Sequence, residues 1–363
     1  MKNFLQKKWH EYRAHHELRK IITNANWLFL DTAIRMAVAF FVGVWVIRYL
    51  GPEKYGVLSY AGALVGFFSV FSKLGLDAIA VRELVEGKIK KEKLLGTVFY
   101  LKLWGGMLAV VLAVVTAHVL KGDILITIIT ATVSFTLVFQ AADVIDLWFQ
   151  SQVVSKYVVY SRSAAVLISA AIKICLVSTG ASLVWFASVG LLESIFVAIG
   201  FAFAYYKNKK HVSKWVFDRG VARDLLKDSW PLILSAISVM IYMRIDQVMI
   251  GNMMGYEALG SYSVAVNLSE MWYFIPTIIT ASVFPAIIVT KKRNEEEYYA
   301  RLQKLYDMMV WMAIAIAIPM TFLSGWIINF LYGAEYAQAA GVLTIYIWAG
   351  VFVFWELQVE SGL

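Results

Sequence analysis

Cysteine is almost absent from this sequence. Cys175 is the only one, which excludes a disulfide framework within the chain and a thiolate metal cluster. Charge is scarce as well: 16% of residues, against roughly 25% in a soluble domain. There is no Gly-x-x-x-x-Gly-Lys-Ser/Thr phosphate loop, no His-Glu-x-x-His, and no polar stretch large enough to bind a nucleotide sugar. An ATP-driven transporter in one chain is therefore excluded. An integral glycosyltransferase or polymerase would need a large outer loop that is missing. The first apolar run is full-length and lacks a small-residue cleavage pattern after it, so no cleavable signal peptide is expected. His10, His15 and His16 sit in the basic N-terminal segment without a ligand set to follow, and are read as a solvated face.

What is abundant is apolar surface. Hydrophobic residues make up 60% of the chain, and mean hydropathy is +0.68. They fall in runs of about 20 residues, long enough to cross a hydrocarbon core. The composition predicts an all-α polytopic membrane protein. Residues 1–23 form a basic amphipathic lead-in, 24–206 an N-lobe of six spans, 207–228 a polar linker, and 229–363 a C-lobe of four visible spans. The spans are expected at about 27–50, 55–71, 99–120, 124–149, 157–177, 183–206, 229–253, 259–289, 308–331 and 342–359. Ser229, Trp230 and Pro231 read as the start of the seventh. Residues 73–93 suit a helix lying at the interface.

Charge placement gives an orientation. Lys88, Lys90, Lys91, Lys93, Lys207, Lys209, Lys210, Lys214, Lys291, Lys292 and Arg293 all fall in alternate loops on one side. The other side holds little beyond Arg48, Lys54 and Lys121. By the positive-inside rule the N-terminus is cytosolic, in the cytoplasmic (inner) membrane. The net charge of +8 is thus a topology signal, and no nucleic-acid partner is expected.

One stretch recurs. Gly51-x-Glu53-x-x-Gly56-x-x-Ser59-x-Ala61 returns as Gly255-x-Glu257-x-x-Gly260-x-x-Ser263-x-Ala265, 204 residues later. Two glycines and a glutamate at fixed spacing between apolar spans predict two homologous helix bundles. The second bundle has four spans against six, which reads as a truncated copy.

Ionisable residues deep in a span cost about 2.5–3.5 kcal/mol each on insertion scales and mark candidate sites. Asp31 and Arg35 lie four apart on the first span; Arg244 and Asp246 lie in the equivalent seventh. Glu193 and Glu270 are near mid-depth in spans six and eight. Arg35 and Arg244 are either structural ion pairs or the lining of a cationic cavity for a phosphate, which arginine's planar fork suits. Lys102 and Lys173 either join that cleft or snorkel to the headgroups. Asp143 and Asp146 fall near the end of span four, where a water boundary would account for them. A repeat-built bundle with charges at mid-depth is the layout of a secondary transporter.

Leu50-Gly-Pro-Glu-Lys-Tyr-Gly-Val-Leu-Ser59 and Leu74-Gly-Leu-Asp-Ala-Ile-Ala-Val-Arg-Glu83 resemble the polysaccharide-exporter and O-antigen flippase branch of the multidrug/oligosaccharidyl-lipid/polysaccharide (MOP) transporter superfamily. Asp146-Leu-Trp-Phe-Gln-Ser-Gln152 and Arg244-Ile-Asp-Gln-Val-Met-Ile-Gly251 are similar to it too. The resemblance implies two six-helix lobes and no enzymatic activity. It implies a flippase moving polyprenyl-(pyro)phosphate-linked oligosaccharide to the outer leaflet for surface polysaccharide or O-antigen assembly. Arg35, Arg244, Lys102 and Lys173 would then hold phosphate or sugar. Asp31, Asp246, Glu193 and Glu270 would balance charge or bind a coupling H⁺ or Na⁺, with no other cofactor and no metal. Expected partners are the lipid-linked oligosaccharide, membrane lipids, and a polysaccharide polymerase or other assembly proteins. The rival readings are an ion-coupled multidrug exporter of the same superfamily, whose site should be acidic and aromatic, and a non-transporting scaffold for cell-envelope assembly.

Overall fold

The structure is a computed structural model that describes residues 2–291 and 294–354. Side chains of residues 1–22 and of several residues between 281 and 293 lie outside that description. So do His10, His15 and His16, the loop cations Lys291, Lys292 and Arg293, and the end of the tenth expected span.

All regular structure among the described residues is helical, with no strand. The helices are α1 (Lys2–Lys73), α2 (Leu76–Glu86), α3 (Lys91–Lys121), α4 (Ile124–Ser134), α5 (Thr136–Phe139), α6 (Val144–Ser151), α7 (Lys156–Ser178), α8 (Leu183–Lys207), α9 (Arg219–Met253), α10 (Tyr256–Glu270), α11 (Phe274–Lys291), α12 (Glu295–Tyr332) and α13 (Ala337–Tyr346). Among the described residues seven stretches are long and apolar enough to cross a membrane. The first two expected spans form one of these, because α1 runs through both with a break only at Gly51. The eighth span is not among the seven. A 3-10 turn at Met271–Tyr273 divides it into α10 and α11. The tenth is represented by the ten-residue α13. The protein is an all-α, multi-pass membrane protein.

The chain packs as two compact units: Met1–Val46 with Tyr60–Asn252, and Ile47–Ser59 with Met253–Leu363. The core of the first is built on α2, α3, α6 and α8, with Leu76, Ile79, Leu94, Val98, Val144, Phe149 and Phe201 buried together. Local chemistry sets its boundaries. α2 ends at Gly87, whose positive φ of 68° lets its N–H return to the Glu83 carbonyl. α3 ends the same way at Gly122, and the next residue, Asp123, starts α4 by accepting from the Leu125 N–H at 2.7 Å. α9 begins at Arg219 and not at Ser229, so Pro231 lies inside it. The cause is Asp218, whose Oδ1 accepts the Gly220 and Val221 N–H groups at 3.0 and 3.2 Å. The turns that follow are amphipathic and bury Ala222 and Leu225.

In the second unit the sequence repeat becomes geometry. Gly51 and Gly255 have the same backbone conformation, φ 73°, ψ 169° and φ 89°, ψ 177°, which L side chains rarely adopt. Gly333 is a third case, at φ 92°, ψ 175°, and is likewise followed two residues later by a glutamate, Glu335. The other repeat glycines, Gly56 and Gly260, face each other. A Cβ on Gly56 would collide with the Tyr256 carbonyl, and one on Gly260 with the Pro52 carbonyl. The two copies cross backbone to backbone, as small residues permit between membrane helices. Tyr336 donates to the Ile47 carbonyl at 2.8 Å and Asn267 to the Tyr55 hydroxyl at 2.6 Å, which ties the three turns into one unit. A further apolar cluster, Tyr298, Leu305, Met309, Ala313 and Phe354, holds α12.

Candidate functional site

The fourth expected span is not a continuous α-helix. Between α5 and α6 the chain tightens into a 3-10 turn at Gln140–Asp143, a departure that often marks a functional segment. Polar groups converge there. Ser72 donates to the Gln140 Oε1 at 3.0 Å. Asp146, on α6, is buried and accepts from Arg162 of α7 at 2.8 Å. Lys102 of α3 is buried, 2% exposed, and its ammonium donates to Asp77 of α2. Asp143 lies within electrostatic reach of Lys102, Arg162, Asp146 and Asp77.

Two cations therefore face three carboxylates in the first unit, with Lys102 and Asp146 buried and Asp77 half-exposed. Lys102 is matched by Asp77 and Arg162 by Asp146; Asp143 has neither a hydrogen bond nor an ion pair among the described residues. A carboxylate in excess in an apolar scaffold is compensated by taking up a proton or a cation. The residues that make this possible are small. α3 passes close to α1 and α5 at Gly105 and Gly106, where a Cβ would meet the Phe71 and Leu137 carbonyls. That close approach, one turn beyond Lys102, is what buries the lysine.

Two expectations are corrected by this geometry. Lys102 does not snorkel towards headgroups, because its ammonium is enclosed and paired with Asp77. Asp146 is not held by a water boundary, because it is 5% exposed and bonded to Arg162. Arg162 and Asp77 were not singled out in the sequence. Arg162 lies 16 residues after Asp146, beyond helical spacing, so only the chain reversal between α6 and α7 joins them.

The other candidates sit apart from the network. Asp31 and Arg35 form the expected i,i+4 pair at 2.9 Å, with Asp31 buried and the Arg35 side chain 45% exposed. Among the described residues the Asp31 Oδ1 has no hydrogen-bond partner. Glu193 lies on α8 with the Ser169 hydroxyl of α7 at 2.6 Å from its Oε2. Lys173, one turn beyond Ser169, is half-buried. Arg244 lies on α9 alongside Gly66. Asp246 accepts from the Gln247 N–H at 2.7 Å, and Glu270 is the last residue of α10, at the 3-10 break. Among the described residues no cluster of histidine, cysteine or carboxylate ligands with metal-binding geometry occurs.

Comparison with known proteins agrees with the helical layout. The teichuronic acid biosynthesis protein TuaB of Bacillus subtilis (strain 168) is 24% identical over 295 residues, which cover 78% of this chain and 59% of that protein. The chain thus spans about three fifths of the length of the curated relative it matches. Among solved structures, an inward-facing multidrug resistance MATE family transporter of the MOP superfamily superposes with a TM-score of 0.61 at 15% identity, covering 90% of this chain and 82% of that one. A MATE structure in complex with MaL6 gives 0.54 at 15% identity, covering 94% and 84%. At 15% identity these likenesses show a shared fold. The family model described as polysaccharide biosynthesis protein matches residues 21–291, well over half of the sequence, and the chain belongs to that family.

Proposed function

We propose that the protein is a flippase that carries polyprenyl-(pyro)phosphate-linked oligosaccharide from the cytosolic to the outer leaflet of the cytoplasmic membrane, with its N-terminus in the cytosol. The observation that carries the reading is a member of the polysaccharide-biosynthesis family that joins two cations and three carboxylates in one network of an apolar helix bundle, with Lys102 and Asp146 buried. Such groups are expensive in a membrane and are kept where a polar cargo or a coupling ion must be met. In this reading Arg35 and Arg244 engage phosphate. Arginine stays charged at any depth and pairs with phosphate oxygens in a planar fork. Asp143 and Asp31 bind the coupling H⁺ or Na⁺: the first is the carboxylate in excess, the second has a buried oxygen without a hydrogen-bond partner among the described residues. A polysaccharide polymerase would take over the delivered cargo.

The test is flipping of a fluorescent polyprenyl-pyrophosphate oligosaccharide by the full-length protein in proteoliposomes, with and without an ion gradient. Wild type should deliver protected substrate, and Arg244→Ala should lower that at least tenfold while inserting normally. Transport undiminished in Arg244→Ala would remove the arginine from the site. Efflux of a cationic dye, with no lipid-linked sugar moved, would replace the reading by that of a drug exporter.

A further inference from the structure

A second polar feature of the first unit takes no part in the ion-pair network. Where α8 ends and α3 begins, a cavity of about 90 Å³ is lined by Lys91, Lys209, Lys210, Lys214, His211, Tyr205 and a single carboxylate, Glu92. Its walls are fixed by the backbone. Lys209 takes a left-handed φ of 57°, which turns the chain sharply off α8, and the Lys210 N–H donates back to the Tyr205 carbonyl at 3.2 Å. The chain then makes a 3-10 turn at Val212–Lys214 and returns to α3, where the Val216 N–H donates to the Glu92 carbonyl at 3.2 Å. Trp215 donates its indole N–H to the hydroxyl of Tyr205, one of the lining residues, at 3.3 Å.

The charges on this frame are unbalanced. Four lysines converge, and the one carboxylate is 3.6 Å from Lys91 alone. Lys210 lies over the Trp148 ring at 5.9 Å, and Lys91 is its cationic neighbour in the cavity wall. That neighbour holds Lys210 below the usual lysine range. Two like charges placed side by side repel, more strongly near a protein surface than in open water. Flexible lysines separate unless a counter-ion draws them together. The first turn of α3, which has no side-chain cap, adds the positive end of a 31-residue helix.

We infer that this cavity is a binding site for a phosphate-type anion, held between Lys91 and Lys210 with Lys214 closing over it. The phosphate comes either from a lipid headgroup or as a free (di)phosphate. The inference stands apart from the flippase reading, since it asks only for binding.

The test uses the full chain in detergent and in vesicles, with Lys91→Gln/Lys210→Gln as the variant and Lys88→Gln/Lys207→Gln as a charge-matched control outside the cavity. Inorganic pyrophosphate titrated by calorimetry should bind saturably to wild type and to the control, and at least tenfold more weakly to the variant. That result identifies a free phosphate ligand. Alternatively, phosphatidylglycerol retained over phosphatidylcholine in native mass spectra should drop at least fivefold in the variant alone, which identifies a headgroup. If neither ligand distinguishes the variant from wild type, the site does not exist. Lys214→Gln, in an exposed turn, repeats the comparison with a smaller expected loss should the double variant fold poorly.

Discussion

Replacing Arg162 by leucine takes one partner from the Asp146 pair and leaves a carboxylate that is only 5% exposed. Breaking a fully buried pair by removing one partner costs about 3–5 kcal/mol. Here the Arg162 side chain is 25% exposed, so water already screens part of the interaction and the lower end, about 3 kcal/mol, is expected. Leucine keeps the apolar stem against Phe201, whose ring the guanidinium covers at 5.5 Å, so the loss reports mainly on charge. Removing both charges, Arg162→Leu with Asp146→Leu, should restore stability to within about 1 kcal/mol of wild type, because no uncompensated ion remains. The cycle is measured by unfolding in mixed micelles, followed by the fluorescence of Trp148, which is two residues from Asp146 and packs edge-on against Tyr205. A coupling of about 2–3 kcal/mol is expected. Additive losses, with coupling below about 0.5 kcal/mol, would show that the pair is effectively solvated and would refute the idea of an enclosed network.

Other changes separate the remaining features. Gly56→Ala and Gly260→Ala each drive a Cβ into a backbone carbonyl and should cost about 1–3 kcal/mol or more, whereas Gly62→Ala, with nothing within 4 Å, should be nearly neutral. Asp143→Asn should leave folding intact but make substrate transport independent of the ion gradient; transport that still follows the gradient would remove Asp143 from coupling. Asp218 is held below the ordinary aspartate range by Lys93, 2.8 Å away, and by the N–H groups it caps. Its contribution is present above the unfolded value near pH 4 and is lost as pH falls through the lower, folded value. Hydrogen exchange at residues 219–225 should therefore rise below about pH 4 in the wild type and show no such acid step in Asp218→Asn. A pH-independent profile in the wild type would mean that the cap does not hold that helix end.

Much of the architecture was legible because membrane helices advertise themselves by length and apolarity. The repeat was legible because Gly51 and Gly255 need a backbone that other residues avoid. The third turn, at Gly333-Ala-Glu335, escaped notice because it keeps only the glycine and the glutamate. The start of α9 at Arg219 was readable in principle from Asp218 followed by an amphipathic turn, but Ser229-Trp-Pro231 gave the louder signal. The site was harder. Depth along a span picked out Asp31 and Arg35, which pair within one helix. It misjudged Lys102 and Asp146, since depth cannot reveal that Gly105 and Gly106 draw neighbouring helices together around them. Contacts such as Lys102 with Asp77 join different helices, and no spacing in one sequence encodes them.

The second unit borrows residues 47–59 from the first copy of the repeat, where Pro52 and Gly56 meet Tyr256 and Gly260. A chain cut in the loop at 208–214 would therefore leave a C-terminal piece that has lost a wall of its own packing. Such a piece should not fold when made by itself, yet should do so when the N-terminal fragment is supplied alongside it. During synthesis, that wall leaves the ribosome some 200 residues before its counterpart and must be kept uncommitted until the rest arrives. The two copies of the repeat are thus not independent modules: each supplies a wall of the other's packing.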